Sequence, residues 1–456
     1  MSLSKIRRIR LGSADAAAQL AALRSQLGAQ GNVVSPRGQA MTMQVFGEPL
    51  TPTQVVERIC ADVQKRGADA LFHYTAQFDK VQLSPETLRV SRREMADAHA
   101  AADPALLATV RRVRQNIMAF QHGILHRSAS MPMAGLHELQ LRYRPMRRVG
   151  VLIPGGAAAY PSTILMTVGP AQAAGVKELA VVMPPTPFGA GNPVLLAVCH
   201  ELGITEVYRV GGAQAVAALA YGVEGMPAVD MIVGPGNMFV ALAKRHVYGT
   251  VAIDCIAGPS EVVVLADETA RADFIAADLL AQAEHSPGAS ILVTPHEPLL
   301  DAVDAELDRQ LATLSRAELT RDSLERFGAL VLVRDMDEAI ETTNALAPEH
   351  LEIMTADDKA VCDRIDNAGA IFLGPYSPVA VGDYAAGPSH TLPTGGTARF
   401  TSGLSACDFL RRSSVISFTR AGLAELAGDV LRLAEVEGLT AHAESVRVRV
   451  GGEVAS

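Results

Sequence analysis

The sequence predicts an α/β protein of two doubly wound, Rossmann-like lobes, with a helical segment at its N-terminus and a helical tail at its C-terminus. Three observations predict it. Apolar positions at three- and four-residue spacing dominate about the first 150 residues, the mark of amphipathic helices. From Arg148 onward, short apolar runs end in Gly- or Pro-rich turns and lead into Ala-rich helical patterns, as βα units of a parallel sheet do. Beyond the last such run the texture returns to helix.

The elements follow in order. Val55-Val56-Ile59-Val63 and Leu106-Leu107-Val110-Val113-Ile117 carry the helical spacing of the N-terminal part. A basic start, Lys5 to Arg10, precedes the Ala-rich stretch Ala16 to Leu23, which Gln19 interrupts, so it reads as an amphipathic helix and not a signal peptide. Val149 to Ile153 runs into Pro154-Gly155-Gly156, Leu179 to Met183 into Pro184-Pro185, Val207 to Val210 into Gly211-Gly212, and Met231 to Val233 into Gly234-Pro235-Gly236-Asn237. These units form one lobe, 151–259. Strands at Val262 to Leu265, Ser290 to Val293, Ala329 to Val333 and Ala370 to Leu373, with helices such as Ala272 to Glu284 between them, predict a second lobe over 260–400. The helices of 46–150 are expected to complete that second lobe, and residues 1–45 to form an arm. Helices at Leu404 to Arg411 and Leu423 to Glu437, then the charged stretch Ala441 to Arg449, make up a tail, 401–456, expected at an interface between copies.

Composition narrows the function. The 456 residues are 49% hydrophobic and 20% charged, which excludes a disordered chain and gives enough sequence for real cores. A net charge of −9 argues against nucleic acid or a membrane surface as partner, since both call for a basic face. No uncharged apolar run reaches the roughly 18 residues of a spanning helix. Five scattered cysteines, Cys60, Cys199, Cys255, Cys362 and Cys407, form no C-x-x-C pair and suit reduced thiols in the cytoplasm. Small-molecule partners are favoured, and any metal must find ligands other than paired thiolates.

Three constellations carry chemistry. The turns at Gly155-Gly156, Gly211-Gly212 and Gly234-Gly236 let backbone N–H groups and helix N-termini approach a pyrophosphate, or serve only as tight turns between strand and helix. None is a full G-x-G-x-x-G, and no acidic residue follows the second strand to bind a ribose. Gln282 and His285 stand three apart, as paired helical metal ligands do; a histidine at a helix C-terminus is equally a favourable cap. Asp383 and His442 are sources of further ligands. In Ala347-Pro348-Glu349-His350, an acid beside a histidine suits a site where one group takes a hydroxyl proton and another activates water, or marks an ordinary helix start with proline at its first position.

Taken together, VGVLIPGG, GGAQAVAALAYG, VGPGNMFV, IAGPSEV, DLLAQAEH, LAPEHLEI, VGDYAAGPSHTLPT, SGLS and EGLTAH resemble histidinol dehydrogenases from about residue 50 to 450. The resemblance implies zinc-dependent oxidation of L-histidinol through L-histidinaldehyde to L-histidine with two NAD. It implies zinc held by Gln282, His285, Asp383 and His442, the last from the other subunit of a homodimer. Glu349 and His350 would be the general acid/base pair. Substrate contacts would come from Ser260, Glu437, His350 and the metal ligands, NAD contacts from Gln214 and Asn237, with His390 nearby. Most zinc and catalytic residues would thus lie in the lobe assigned to 46–150 plus 260–400. Many members have tyrosine where this chain has Leu152, a departure that bears on NAD affinity. A dehydrogenase of another small alcohol, such as a sulfonated diol, a zinc hydrolase and a non-catalytic nucleotide-binding protein are the alternatives.

Overall fold

Two parallel sheets organise the chain, and each follows from runs of residues apolar on both faces. The computed structural model describes residues 6–27, 42–156, 158–285 and 288–451. Lys5 and the 28–41 part of the expected arm lie outside them.

The first sheet orders its strands Glu206–Tyr208, Glu178–Val182, Arg148–Leu152, Met231–Val233, Ala252–Ile253, all parallel. In chain order this is 3-2-1-4-5, so the winding reverses between the strands that end at Leu152 and Val233, and the crevice for a ligand opens beyond their C-terminal ends. Alternation divides the side chains. Val149, Val151, Val181 and Val233 face one core, while Leu152, Val182 and Ile232 face the other.

The helices that cover this sheet are apolar nearly all round. Helix Gly212–Tyr221 buries every residue from Ala213 to Ala220, and Pro161–Ala174 is almost as buried. Such helices need a further layer. The N-terminal helices supply it: Val55, Ile59, Val63 and Leu71 join Val216 and Leu219 in one core, and Val110 and Ile117 join Ile164 and Val168 in the other. Residues 52–124 therefore pack on the 151–259 lobe, not on the 260–400 lobe that they were expected to complete. Thr51 starts this layer with a capping box and Pro52 in the first turn.

The second sheet runs Arg7–Arg10, Ala329–Leu332, Gly288–Thr294, Ser260–Ala266, His350–Met354, Ala370–Leu373, again all parallel. Setting aside the N-terminal strand at its edge, it repeats the 3-2-1-4-5 order. Only residues 254–259 connect the last strand of the first sheet to the first strand of the second. The two strands flanking its reversal point begin at Ser260 and His350.

A third, antiparallel sheet joins Leu410–Phe418, His137–Pro145 and Ala129–Met133. The expected helix Leu404–Arg411 is instead one 3₁₀ turn, Ala406–Phe409, that runs into a strand. Phe409 is fully buried in the first lobe's core and fixes where that strand leaves. The tail then forms a hairpin of helices Arg420–Val436 and Thr440–Val450. Among the described residues no helix is long and apolar enough to cross a membrane.

Candidate functional site

Ser260 and His350 open neighbouring strands of the second sheet, and Glu349 immediately precedes one of them. The Pro348-Glu349-His350 segment is thus a strand start, where β-pairing to Val262 overrides the proline helix-start signal. The cluster sits at the N-terminal edge of its own sheet.

Hydrogen bonds knit it together. Ser260 Oγ donates to Glu349 Oε2 at 2.6 Å, the Glu261 N–H donates to the same oxygen at 2.9 Å, and Gln282 Nε2 donates to Ser260 Oγ at 2.7 Å. His350 Nδ1 donates to the Glu261 carbonyl at 3.1 Å. That bond fixes the neutral ring's lone pair on Nε2. Nε2 is buried, has no hydrogen-bond partner, and lies 3.6 Å from Asp383 Oδ1. His390 Nδ1 donates to the Asp383 carbonyl at 3.0 Å.

The electrostatics follow from burial and crowding. Burial pushes Glu349 above the usual carboxylate range, although His350, Ser260 and the Glu261 N–H oppose it. Burial alone would lower His350, but the neighbouring Glu349 and Asp383 outweigh it and hold the ring up at about 9. Burial would raise Asp383, yet His350, His390 and His285 together draw it below its usual value. Burial lowers His390.

Gln282 is buried on helix Ala272–Ala283, which ends before the Glu284 expected as its last residue. His285 follows on a tight turn, exposed, its N–H donating to the Gln282 carbonyl at 3.2 Å. Asp383 lies on the short helix Val379–Tyr384. Among the described residues no three His, Cys, Asp or Glu side chains converge as a metal cage. Gln282 is an amide, and Glu437 and His442 stand exposed on the tail hairpin, with no hydrogen bond from either side chain to the cluster among the described residues.

At the first sheet's crevice, Asn237 caps helix Met238–Val247 by accepting from the Phe239 and Val240 N–H groups, which leaves its own amide N–H bonds toward solvent. Gln214 is buried beside the Gly211-Gly212 turn. A Cβ on Gly155 would stand 2.7 Å from Pro184, so that glycine serves close packing, while one on Gly156 would meet open space. Leu152 is buried in the core beneath.

Comparison with known proteins decides the family. A family model described as histidinol dehydrogenase matches residues 49–450. The chain belongs to the histidinol dehydrogenase family. The histidinol dehydrogenase of Rhodopirellula baltica is 58% identical over 438 residues, 96% of this chain and 95% of the relative. That of Geobacillus kaustophilus is 50% identical over 393 residues, 86% and 92% of the two chains. A crystal structure of histidinol dehydrogenase from Elizabethkingia anophelis superposes with a TM-score of 0.87 at 32% identity, covering 98% of each chain.

Against this histidinol dehydrogenase fold, Glu261 is the residue that sequence reading passed over. Its N–H and carbonyl hold Glu349 and His350, and its carboxylate accepts the Gly395 N–H at 2.9 Å. Burial, with Glu349 adding to it, pushes that carboxyl up to about 8. A signal was present: an acid heads the otherwise apolar run Val262-Val263-Val264-Leu265. Asp278 and Glu352, both buried and in contact, are a second such pair, and Glu352 accepts the Val379 N–H that opens the helix of Asp383.

Proposed function

We propose that this chain oxidises L-histidinol through L-histidinaldehyde to L-histidine, consuming two NAD, as a zinc-dependent homodimer. The observation that carries the reading is the Glu349–His350 pair, held at the reversal point of one sheet beside Ser260, whose strand is joined to the last strand of a nucleotide-type sheet by only the six residues 254–259. A hydrolase would leave that first sheet without a task.

The residues fit zinc. His350 Nε2 is a buried polar atom without a partner, Asp383 is drawn toward its ionised form, and Gln282 and His285 add an amide oxygen and an imidazole nitrogen. Gln282, His285, Asp383 and His442 of the partner subunit would hold the ion. When bound, zinc supplies a Lewis acid and a template for the imidazole and amine of histidinol. NAD supplies the two-electron acceptor for each oxidation, and Gln214 and Asn237 would meet it at the crevice of the first sheet.

The chain's own groups move the protons. His350 Nε2 takes the hydroxyl proton in the first oxidation. A cation held by Asp383 would weaken that carboxylate's hold on the ring proton and so favour the neutral His350 that a base requires. Glu349, buried and raised, takes a proton from water so that the aldehyde is hydrated before the second oxidation. Ser260 fixes the Glu349 carboxylate on one side and the Gln282 amide on the other. Glu437 of the partner subunit would hold the substrate's charged end. Leu433, Val436, Leu439 and Val448 on the tail hairpin and Ile416 on its supporting strand are exposed, and this concentration of apolar side chains on one element supports a second copy there.

The test is NAD reduction with L-histidinol, before and after treatment with a chelator. Two NAD reduced per histidinol, lost on chelation and restored by zinc, is the expected result; no NAD reduction would reject the reading.

A further inference from the structure

The Gly234-Pro235-Gly236-Asn237 turn is held from beneath by two charges that no step above uses. Lys244, near the end of the helix that Asn237 begins, is 2% exposed, and the Asp254 side chain is 3% exposed. They form a contact ion pair. Lys244 Nζ donates to the Gly234 carbonyl at 3.0 Å, and the Gly234 N–H donates to Asp254 Oδ2 at 2.7 Å. Both polar groups of one residue are thus tied to one ion pair. Gly234 has φ +110°, and a Cβ there would stand 2.3 Å from the Leu152 carbonyl oxygen, so it is the point where the fourth strand bends past the first at the reversal of the sheet.

Two buried charges are a costly way to gain stability, because well-packed apolar residues of similar size do as well or better. An apolar pair, however, offers the Gly234 peptide neither donor nor acceptor. Asp254 also begins the connection between the lobes. Its Oδ1 accepts the Cys255 N–H at 2.7 Å, the Gly258 N–H donates to Thr394 Oγ1 at 2.5 Å, and Ser260 bonds Glu349. One hydrogen-bonded segment therefore runs from the nucleotide turn to the Glu349–His350 cluster.

We propose that Lys244 and Asp254 are positioning residues for the dinucleotide, acting as a buried clasp that sets the Gly234–Asn237 turn in its binding geometry before the cofactor arrives. This rests on the NAD reading above. A preset turn spares the ligand the entropy of ordering it, so removing the clasp weakens binding without touching the ligand.

The probe is NADH, followed by its fluorescence on the zinc-loaded protein. Lys244→Met and Asp254→Leu alone each leave a buried charge unpaired and should lower Tm. The double variant removes both charges and should regain much of that Tm while NADH affinity falls roughly tenfold, as expected when about two net hydrogen bonds are lost. KM for NAD should rise in step, with KM for histidinol and zinc content unchanged, a split that general loosening would not give. Amide exchange at Gly234 in the wild-type protein without cofactor tests the same idea should the double variant not fold: slow exchange supports a preset turn, and exchange as fast as in an open loop overturns it. Wild-type NADH affinity in a folded double variant overturns the clasp alone; a wild-type protein that fails to bind NADH overturns the NAD reading and the clasp's role with it.

Discussion

His350 Nε2 and Asp383 Oδ1 lie 3.6 Å apart, in a pocket where the ring nitrogen has no hydrogen bond of its own. In the metal-free protein His350 is expected to titrate at about 9, well above its ordinary 6.5. Zinc on Asp383 should lower that value by taking up the carboxylate's charge. NMR of ring nitrogens in labelled protein, with and without zinc, checks both. A ring that titrates near 6.5 without metal would remove the electrostatic coupling, and indifference to zinc would separate Asp383 from the ion.

His350→Asn should keep fold and zinc content and reduce the first oxidation about 10²–10⁴-fold, the range for losing a general base. Glu349→Gln should spare that step and slow oxidation of the aldehyde. Single-turnover measurements from histidinol and from histidinaldehyde distinguish the two. Equal losses in both half-reactions would defeat the division of labour.

Ser260→Ala removes one hydroxyl that bonds both Gln282 and Glu349. Each bond contributes roughly 0.5–1.5 kcal/mol, so kcat/KM is expected to fall about tenfold or more, and zinc affinity, measured by chelator competition, to weaken as the Gln282 amide loses its anchor. A tighter hold on zinc in this variant would count against Gln282 as a ligand.

The Asp278–Glu352 pair gives the stability a pH dependence. Burial, and then the neighbouring Asp278, push Glu352 up to about 9, and burial raises Asp278 to about 6. A carboxyl raised in the folded state keeps its proton after the unfolded chain has lost it. Its contribution is therefore complete below the unfolded value of 4.5 and is lost as pH rises through the folded one. Tm should decline between about pH 5 and 9 for this reason, and Glu352→Gln, which still accepts from Val379, should flatten the decline. Parallel Tm profiles for wild type and variant would show the pair to be silent.

Mixing inactive His442→Ala subunits with inactive His350→Ala subunits, under exchange, should restore about a quarter of the sites, because one site of each heterodimer carries neither defect. No recovery despite demonstrated exchange would place His442 in its own subunit's site.

Much of the fold was legible because strand pairing left a pattern in the sequence: Val149-Gly150-Val151 and Val262-Val263-Val264 read as buried parallel strands and are so. Which sheet the helices of 52–124 would cover was not legible, since an apolar stripe such as Val55-Ile59-Val63 names no partner. The clue lay in helix Gly212–Tyr221, too apolar to be an outer layer. In the site, Glu349, His350, Ser260 and Gln282 stood out as motif residues, and the structure joins them by direct hydrogen bonds or chain adjacency. Glu261 did not, because it acts largely through its backbone, and its only trace in the sequence is an acid at the head of an apolar run.

The strand Arg7–Arg10 pairs with Ala329–Leu332, so it closes the edge of a sheet whose neighbouring strand is made some three hundred residues later. At about 5–20 residues per second, a ribosome needs on the order of 15–65 s to reach that strand. Throughout that interval the segment has no place to dock. Its three arginines suit the wait: before folding they repel like segments on neighbouring nascent chains, and afterwards Arg8 meets Asp301 and Asp304 while Arg10 meets Glu297. The order of synthesis thus keeps the Arg7–Arg10 strand waiting for its neighbour, and the second lobe's sheet becomes whole only once His350–Met354 and Ala370–Leu373, made later still, have joined it.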